Sequence, residues 1–180
     1  IGNAVNLNQL YLSYNTLKGK IPESISNLSL LWVMDMQNNN LSGHLPDDIG
    51  NMQNLADLEL SYNNLSGQLP ASLTTLGNLV YLQLYHNKFS GKIPTDIGNL
   101  SNLLILDISQ NNLSGKIPNS ISNLSSLQNC NLGSNNFSGK IPAAIGNLHN
   151  LLTLNLSYNQ LSGSIPPPLG NLSNLTYLAL

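Results

Sequence analysis

The sequence has no arginine, one cysteine and few charged side chains of either sign. Charged residues make up 8% of the 180 residues, and the formal net charge is −2. A surface that binds nucleic acid needs a basic stripe to displace phosphate counterions, so this composition argues against such a partner. The lone Cys130 excludes an internal disulfide and a metal site built from several thiolates.

Long apolar runs are also missing. No stretch approaches the roughly 18 apolar residues that a membrane-spanning helix requires, so we do not expect this segment to span a membrane. Apolar residues nevertheless make up 41% of the chain, which is enough to build a core and argues against intrinsic disorder.

What the chain does have is an internal period of 24 residues that runs without an insertion. The repeated leucines are Leu7, Leu31, Leu55, Leu79, Leu103, Leu127, Leu151 and Leu175. The repeated asparagines are Asn15, Asn39, Asn63, Asn87, Asn111, Asn135 and Asn159. Such self-similarity predicts a repeat protein. We expect a single array over residues 1–180, with seven whole repeats (7–174), partial repeats at both ends and no visible caps.

The repeat around Leu106 shows how each one is expected to fold. Leu106 and Ile108 alternate as in a short strand with one buried face. Asn111 follows at an inward turn, where its amide can bond to backbone groups of adjacent coils. Gly115 suits a crowded position or a positive φ, and Pro118 fixes φ at the start of a short helical turn. Each repeat is therefore predicted as strand, turn, short helix and return.

Such a repeat cannot bury its apolar face alone, so neighbouring repeats must stack. Eight strands at about 4.8 Å spacing give a parallel sheet roughly 35 to 40 Å long. Because the turns opposite the strands are bulkier, we expect the stack to curve with the sheet on the concave side. The predicted class is α/β.

The repeated pattern resembles the leucine-rich repeat, through its Leu-x-x-Leu-x-Leu-x-x-Asn core. The segments Leu113–Pro118 and Leu161–Pro166 read Leu-Ser-Gly-x-Ile-Pro, as in the 24-residue plant subtype of receptor-kinase ectodomains, receptor-like proteins and polygalacturonase-inhibiting proteins. The resemblance implies a right-handed solenoid, or horseshoe, with helical or 3-10 turns on the convex side and a short second strand on the flank. It also implies recognition outside the cell, in the apoplast or at the outer face of the plasma membrane, with a possible co-receptor.

The resemblance also bears on the ends of the chain. Members of this subtype usually close both ends with cysteine-paired caps, and Cys130 has no partner. We therefore expect a fragment of a longer protein or an engineered protein.

Recognition is expected on the concave face, where strand positions that vary between repeats point into solvent. All seven tyrosines and the only tryptophan fall at such positions, and aromatic residues are typical interface anchors. Four acidic residues also lie on the strands, whereas every lysine lies off them. The candidate ligand contacts are Trp32, Asp35, Asp57, Glu59, Tyr81, Gln83, Tyr85, His86 and Asp107. The alternatives are that the aromatic residues only brace neighbouring strands and that the charges are merely solvated.

The absence of arginine narrows the range of ligands that the concave face could bind. Some peptide receptors of the resembled family hold a peptide carboxylate with an Arg-x-Arg pair, which this sequence cannot supply. An acidic groove lined by aromatic residues suits a basic or neutral partner, such as a cationic protein surface, a neutral peptide or a glycan. Polygalacturonase inhibitors of the resembled family also present acidic concave residues, so that function remains an alternative.

Asn-x-Ser/Thr sequons are frequent and fit a secreted, glycosylated surface, although the Asn-Leu-Ser sequence of the repeat itself creates most of them. They are Asn27, Asn40, Asn64, Asn99, Asn112, Asn123, Asn136, Asn155, Asn171 and Asn174. A glycan on Asn155 would obstruct the groove.

Catalysis finds no support in the sequence. His44, His86 and His149 occupy different positions of different repeats, so we predict no metal site and no cofactor. Cys130 replaces a core leucine and is expected to be buried. Three hypotheses follow: a receptor-kinase or receptor-like ectodomain, a polygalacturonase inhibitor, and a structural or engineered scaffold without a natural ligand.

Overall fold

Each repeat folds as a short strand, a turn, a second short strand and one turn of 3-10 helix. The computed structural model describes all 180 residues. The first strands are β1 (Gln9–Tyr11), β3 (Val33–Asp35), β5 (Asp57–Glu59), β7 (Tyr81–Gln83), β9 (Ile105–Asp107), β11 (Asn129–Asn131), β13 (Thr153–Asn155) and β15 (Tyr177–Ala179). The second strands are β2 (Lys18–Lys20), β4 (Asn40–Gly43), β6 (Asn64–Gln68), β8 (Lys88–Gly91), β10 (Asn112–Gly115), β12 (Asn136–Gly139) and β14 (Gln160–Leu161). The 3-10 helices are Glu23–Asn27, Ile49–Asn51, Ala71–Thr75, Ile97–Asn99, Asn119–Asn123, Ala143–Asn147 and Pro167–Asn171.

The two sets of strands form two parallel sheets in chain order. The first strands make the eight-stranded concave sheet, and the second strands make a seven-stranded lateral sheet. In the concave sheet the register advances by one repeat, so that Leu58 pairs with Leu82 and Leu82 pairs with Leu106. Each repeat position therefore forms a straight column across the sheet. The predicted right-handed solenoid, with its short convex turns, is confirmed.

A single apolar core runs along the whole stack. Forty-three buried apolar residues form one connected cluster. Leu58 and Leu106 are completely buried, and Phe89 and Phe137 fill the leucine column of the lateral strands. Cys130 occupies a core leucine position and is buried, as predicted. Stacked coils thus shield one another's apolar faces.

A ladder of asparagine side chains closes the turn between the two strands of each repeat. The Asn111 amide nitrogen donates to the carbonyl oxygens of Leu84 and Ile108, at 3.0 and 3.2 Å. Its side-chain oxygen accepts from the Phe89 amide at 2.9 Å. Because these bonds join a coil to the preceding one, the ladder satisfies buried peptide groups that no strand pairs. This confirms the predicted role of the column.

Two positions of each repeat have a left-handed backbone. One lies at the end of the lateral strand and is glycine, as expected: Gly115 has a φ of 79°. However, the residue before each ladder asparagine also has a φ between 51° and 56°, and none of these is glycine. They are Tyr14, Asn38, Tyr62, His86, Gln110, Ser134 and Tyr158. This conformation costs about 1 kcal/mol for most side chains, so the ladder must hold it in place.

The convex turns follow proline where the sequence predicts it. Pro118, with a φ of −70°, lies immediately before the 3-10 helix Asn119–Asn123. Glycine allows adjacent convex turns to approach closely, since a Cβ atom on Gly98 would lie 2.3 Å from the Ser120 carbonyl oxygen. The longest helices have five residues, and none could cross a bilayer.

Candidate ligand-binding surface

The concave sheet presents the nine candidate contacts on four neighbouring strands and the turns beside them. On β5, Leu58 points into the core, so Asp57 and Glu59 point to the opposite, concave side. The register places Asp35, Glu59, Gln83 and Asp107 side by side in one column. It pairs Asp57 with Tyr81 in a second column. Trp32 precedes β3, and Tyr85 and His86 follow β7.

Glu59 is the most unusual of these residues. Its side chain is buried, with 8% of the residue exposed, and its Oε2 atom accepts a hydrogen bond from the Gln83 amide. Its Oε1 atom is buried and has no hydrogen-bond partner. Burial raises the pKa of Glu59 to about 7, and the carboxylates of Asp57 and Asp35 raise it further. The Ser61 hydroxyl and amide lower this pKa, although neither forms a hydrogen bond of normal geometry with the carboxylate.

Two further unpartnered groups lie next to Glu59. The Oδ1 atom of Asp57 and the hydroxyl of Ser61 are both buried without a hydrogen-bond partner. Burial raises the pKa of Asp57, and the Asp35 carboxylate adds to the effect. Only one other buried side-chain oxygen in the protein, on Ser26, lacks a partner. We call Asp57, Glu59 and Ser61 the open acceptor cluster.

Aromatic side chains flank this cluster in the turns that follow. The rings of Tyr62 and Tyr85 meet edge to face at 5.1 Å, and those of Tyr62 and His86 lie 4.7 Å apart. Tyr85 is half-buried, and burial followed by the Glu59 charge raises its pKa. Tyr62, Tyr81 and Trp32 remain exposed. The aromatic residues therefore brace neighbouring turns and also offer surface to a partner.

Asp107 behaves differently from Glu59, although both lie in one column. Its Oδ1 atom accepts from the Ser109 amide at 3.0 Å and from the Ser109 hydroxyl at 2.6 Å. Its Oδ2 atom accepts from the Asn131 amide at 3.0 Å. Both carboxylate oxygens of Asp107 therefore already accept hydrogen bonds within the protein, so this residue is a weaker candidate for ligand contact than the sequence suggests.

Two residues of this surface, Ser61 and Tyr62, are not among the contacts predicted from the sequence. Ser61 belongs to the open acceptor cluster, and Tyr62 forms an aromatic edge with Tyr85 and His86. The sequence did contain one relevant signal. Glu59 is the only glutamate in its column, whose other members are Tyr11, Asp35, Gln83, Asp107, Asn131, Asn155 and Ala179. Its longer side chain does not make the short bond to the amide two residues on that Asp107 makes.

No positive charge neutralises this part of the concave sheet. The only contact of salt-bridge length in the structure is between His44 and Glu23, at 3.9 Å, and it is an ion pair only when His44 is protonated. Neither residue lies on the concave strands. The lysines lie toward the lateral side, where the stem of Lys92 covers Gly115 of the next coil. His86 bonds to the side-chain oxygen of Gln110 at 3.0 Å instead of to a carboxylate.

The sequons lie in two main groups. Asn40, Asn64, Asn112 and Asn136 begin lateral strands, and Asn27, Asn99, Asn123 and Asn171 end 3-10 helices. Eight of the ten are exposed, whereas Asn64 and Asn155 are half-buried. The Asn155 side-chain oxygen accepts from the Ser157 amide at 3.0 Å and from its hydroxyl at 2.7 Å. Glycosylation of any of them stays a prediction.

The metal-ligating residue types are not grouped, and the one cysteine is buried. No three of the histidine, cysteine, aspartate and glutamate side chains are grouped so that they could hold a metal ion. Burial raises the pKa of the Cys130 thiol to about 12, so the thiol stays protonated and unreactive at neutral pH.

Comparison with known proteins places this geometry in a family. A family profile described as "Leucine-rich repeat region" matches residues 63–180, and one described as "Leucine Rich Repeat" matches residues 6–28 and 30–52. A search of curated proteins gave no match.

Solved structures give closer parallels. The Arabidopsis receptor kinase HAESA, solved with the peptide hormone IDA and the co-receptor SERK1, superposes with a TM-score of 0.96 and is 37% identical, over 98% of this chain and 30% of that chain. PEPR1, solved with AtPEP1, gives a TM-score of 0.94 and 38% identity, over 98% of this chain and 25% of that chain.

A plant ice-binding protein is also similar, with a TM-score of 0.83 and 32% identity over 99% of this chain and 58% of that chain. This chain therefore spans between a quarter and a third of the two receptor chains and just over half of the ice-binding protein. The matched profiles, the 24-residue period and the two parallel sheets agree, and the chain belongs to the leucine-rich-repeat family.

Proposed function

We propose that this chain is a ligand-recognition segment of an extracellular plant receptor kinase or receptor-like protein. The observation that carries the proposal is the open acceptor cluster with its aromatic edge. Acceptors that the protein leaves unpaired cost stability, and that cost is offset when a partner supplies the donors. The similar structure of HAESA supports a peptide as the ligand, because it was solved with the peptide hormone IDA.

The proposed ligand is a basic or neutral peptide or protein segment that lies along the concave columns. The uncompensated carboxylates would steer a cationic partner and repel an anionic one. A co-receptor would then dock on the lateral face or on the exposed part of the ligand. Binding of the ligand itself requires neither a transmembrane helix nor a kinase domain.

A pull-down from plant extracellular fluid tests the proposal. The wild-type chain should capture a defined peptide or protein, and the triple variant Asp35→Asn, Asp57→Asn, Glu59→Gln should lose it. The matched control, Asp47→Asn, Asp48→Asn, Asp96→Asn, removes three charges next to the convex turns and should bind normally. Capture of the same partner in equal amounts by both triple variants would contradict the proposal.

Inhibition of polygalacturonase remains an alternative use of the same acidic columns. It predicts that the purified wild-type chain lowers polygalacturonase activity and that the concave triple variant does not. Unchanged enzyme activity with the wild-type chain would remove this alternative. A scaffold without any ligand predicts no capture and no inhibition.

A second candidate function is adsorption to ice, and the lateral sheet favours it. Two of its outer columns are mostly neutral: serines follow Lys18 in one, and in the other Asn40, Asn64, Asn112 and Asn136 are interrupted by Lys88. The Asn64 side chain donates to that of Asn40 at 2.7 Å. The Ser66 and Ser114 hydroxyls each donate to a glycine carbonyl of the preceding coil, at 3.3 Å. Hydrogen-bonding groups at the regular spacing of stacked strands, about 4.8 Å, suit an ordered lattice of water. The similarity to a plant ice-binding protein supports the same reading.

Inhibition of ice recrystallisation separates the two candidate functions. The double variant Asn64→Lys, Asn112→Lys would place a lysine on each side of Lys88 in the asparagine column and should abolish inhibition, whereas the concave triple variant should retain it. Absence of inhibition by the wild-type chain would reject ice adsorption and leave the first proposal untouched.

A further inference from the structure

All six lysines lie within the lateral strands or directly after them, whereas the concave strands carry none. Three of these lysines occupy the same position in consecutive coils, one residue after the glycine that ends a lateral strand. We call Lys92, Lys116 and Lys140 the lysine row. Because consecutive coils stack on one another, neighbouring members of the row are one strand spacing apart, about 4.8 Å.

The stems of the three lysines all lie against the next coil in the same way. A Cβ atom on Gly115, Gly139 or Gly163 would lie 3.0 to 3.3 Å from the Cγ atom of the lysine in the preceding coil. This packing holds the stems in one direction, while the three lysines remain exposed to solvent. The side-chain entropy that the row loses when it binds a partner is therefore smaller than for three freely moving lysines.

No carboxylate pairs with the lysine row. The only contact of salt-bridge length in the protein is between His44 and Glu23, in earlier coils. Glu23 comes three residues after the position of its own coil that is equivalent to the row. The coils of the row have neutral side chains at that place, which are Thr95, Asn119 and Ala143. The row therefore keeps its full positive charge, and an anionic partner would be attracted to it.

The charge of the whole chain is divided in the same way. Residues 88–180 hold four lysines and two aspartates, whereas residues 1–87 hold two lysines and six acidic residues. Of the two aspartates, Asp107 lies on the concave strand β9, and Asp96 forms no ion pair. The lateral side of the later coils is thus the cationic part of an otherwise acidic molecule.

Two open grooves lie beside the lysine row. One, of about 560 Å³, is lined by Lys92 and Ser114. The other, of about 680 Å³, is lined by Lys116, Lys140 and Asn119. Proline rings form part of both walls. The grooves therefore combine cations with hydroxyl and amide groups, which suits a partner that carries both carboxylates and hydroxyl groups.

We propose that the lysine row binds a linear acidic polysaccharide with one carboxylate on each sugar, a 1→4-linked polyuronate that lies along the solenoid axis. This goes beyond the recognition proposed for the concave face and does not rest on it. Each 1→4-linked sugar lengthens the chain by roughly one strand spacing, about 4.8 Å. Successive carboxylates therefore come within reach of successive ammonium groups, whose terminal bonds rotate freely.

The spacing of the row disfavours other linear polyanions. In an extended acidic peptide, side chains on one face recur every two residues, at about 6.6 to 6.8 Å, so they fall out of step with the row by the third lysine. Each strand of a nucleic-acid duplex carries one charge per about 3.4 Å, which is denser than the row. A polyuronate fits the row better than either of these.

The test uses NMR spectroscopy of the isotopically labelled chain at neutral pH. The probes are hexamers of 1→4-linked galacturonate and of 1→4-linked mannuronate, which share a similar charge spacing but differ in ring stereochemistry. At least one hexamer should give saturable amide shifts centred on residues 92–95, 116–119 and 140–143, and the tighter hexamer identifies the sugar. Its methyl-esterified form keeps the sugar chain but not the charge, and it should give no shifts. Binding should weaken by about five-fold or more between low salt and roughly 0.3 M NaCl, because exposed charges are screened.

Variants of the chain check that the row itself binds. The triple variant Lys92→Gln, Lys116→Gln, Lys140→Gln should weaken binding by about ten-fold or more, because three exposed charge pairs are lost. The matched control, Lys18→Gln, Lys20→Gln, Lys88→Gln, removes the same charge from the same side of the protein and should bind within about three-fold of the wild type. All six lysines are exposed, so both variants should fold normally, which circular dichroism checks.

Several outcomes would overturn the inference. They are no binding of either hexamer, equal binding of the methyl-esterified form, and equal losses in the two triple variants. Equal affinity for a hexaglutamate peptide would assign the row to acidic peptides instead, and equal affinity for a monomeric uronate would mean an adventitious ion only.

The recognition function of the concave face stands or fails separately. Asp35→Asn, Asp57→Asn, Glu59→Gln should bind the hexamer as the wild type does, because its substitutions leave the lysine row intact. The lysine triple variant should still capture the partner of the concave face.

Discussion

In the second half of the concave sheet, polar side chains bond to one another, whereas in the first half several are left without partners. Asn131 donates to Asp107 at 3.0 Å, and the Thr153 hydroxyl donates to Asn129 at 3.2 Å. In the first half, Asp57 and Glu59 each keep one oxygen unpaired, although they occupy the same columns. Both halves share one backbone, one register and one core.

The difference between the halves shows that a repeat position has no fixed role. A short aspartate or asparagine side chain can bond to the amide two residues on and so becomes part of the turn. The longer Glu59 side chain instead reaches across to Gln83 of the next strand and leaves its second oxygen open. The paired side chains of the second half, Asp107 among them, therefore stabilise the solenoid, whereas the first half holds acceptors without a partner.

The largest predicted effect concerns a feature that both halves share. Asn63→Ala in the first half and Asn135→Ala in the second should each lower the free energy of unfolding by about 3 kcal/mol, because each leaves a buried amide and carbonyls unpaired. The Leu41 amide would lose its 2.9 Å bond to Asn63, and the Leu113 amide its 3.0 Å bond to Asn135. Urea unfolding measures both. Losses that differ by more than about 1 kcal/mol would show that the halves differ inside as well as on the surface.

The next effect should have opposite signs in the two halves. Glu59→Gln should raise the free energy of unfolding by about 1 kcal/mol at pH 8, because it removes a buried charge that lacks a full set of partners. Asp107→Asn should lower it by about 1 kcal/mol, because it replaces an acceptor of the Asn131 bond with a second donor. Urea unfolding of both variants at one pH decides this, and equal signs would break the comparison.

The pH dependence gives the sign of the Glu59 effect independently. Its pKa is about 7 in the folded chain and 4.5 in the reference state, so the folded chain holds the extra proton between these values. The free energy of unfolding of the wild type should therefore fall relative to Glu59→Gln as the pH rises from 4.5 to 7, and then level off. Parallel curves for the two proteins across that window would contradict the buried, unpaired state of Glu59.

The smallest effect concerns the left-handed residues of the turns. Tyr158 is 84% exposed and has a φ of 55°, so Tyr158→Gly should relieve the conformation and raise the free energy of unfolding by up to about 0.5 kcal/mol. Tyr62 has a similar φ but packs on Tyr85 and His86, so Tyr62→Gly should lower it by about 1 kcal/mol. Thermal unfolding can compare them. Equal gains would mean that the aromatic edge contributes no packing.

Much of the fold follows from the sequence because the period fixes which residues meet. Repeat spacing places Leu58, Leu82 and Leu106 in one column, and no other stacking would bury them all. The role of Asn111 follows as well, since an amide at an inward turn must pair with backbone groups. The sequence could therefore predict the solenoid, the ladder and the convex turns.

The details of the site could be predicted only in part. Column position identified Asp57 and Glu59 as concave, but whether an oxygen is paired depends on side-chain length and on rotamers of neighbouring strands. The same limit explains why Asp107 was grouped with Glu59, although the Ser109 and Asn131 bonds occupy it. The left-handed backbone at Tyr62 and Tyr158 was also hidden, because neither residue type favours it.

The whole-repeat register of the concave sheet has a consequence for how such proteins diversify. Because adjacent coils meet through equivalent residues, a gene segment that encodes 24 residues can be duplicated or lost without redesigning the interior. Each such event shifts the groups on either side of it by one strand spacing, about 4.8 Å. The distance between two anchoring points for a guest molecule can therefore be changed in whole steps, while the chemistry of each anchor is left intact.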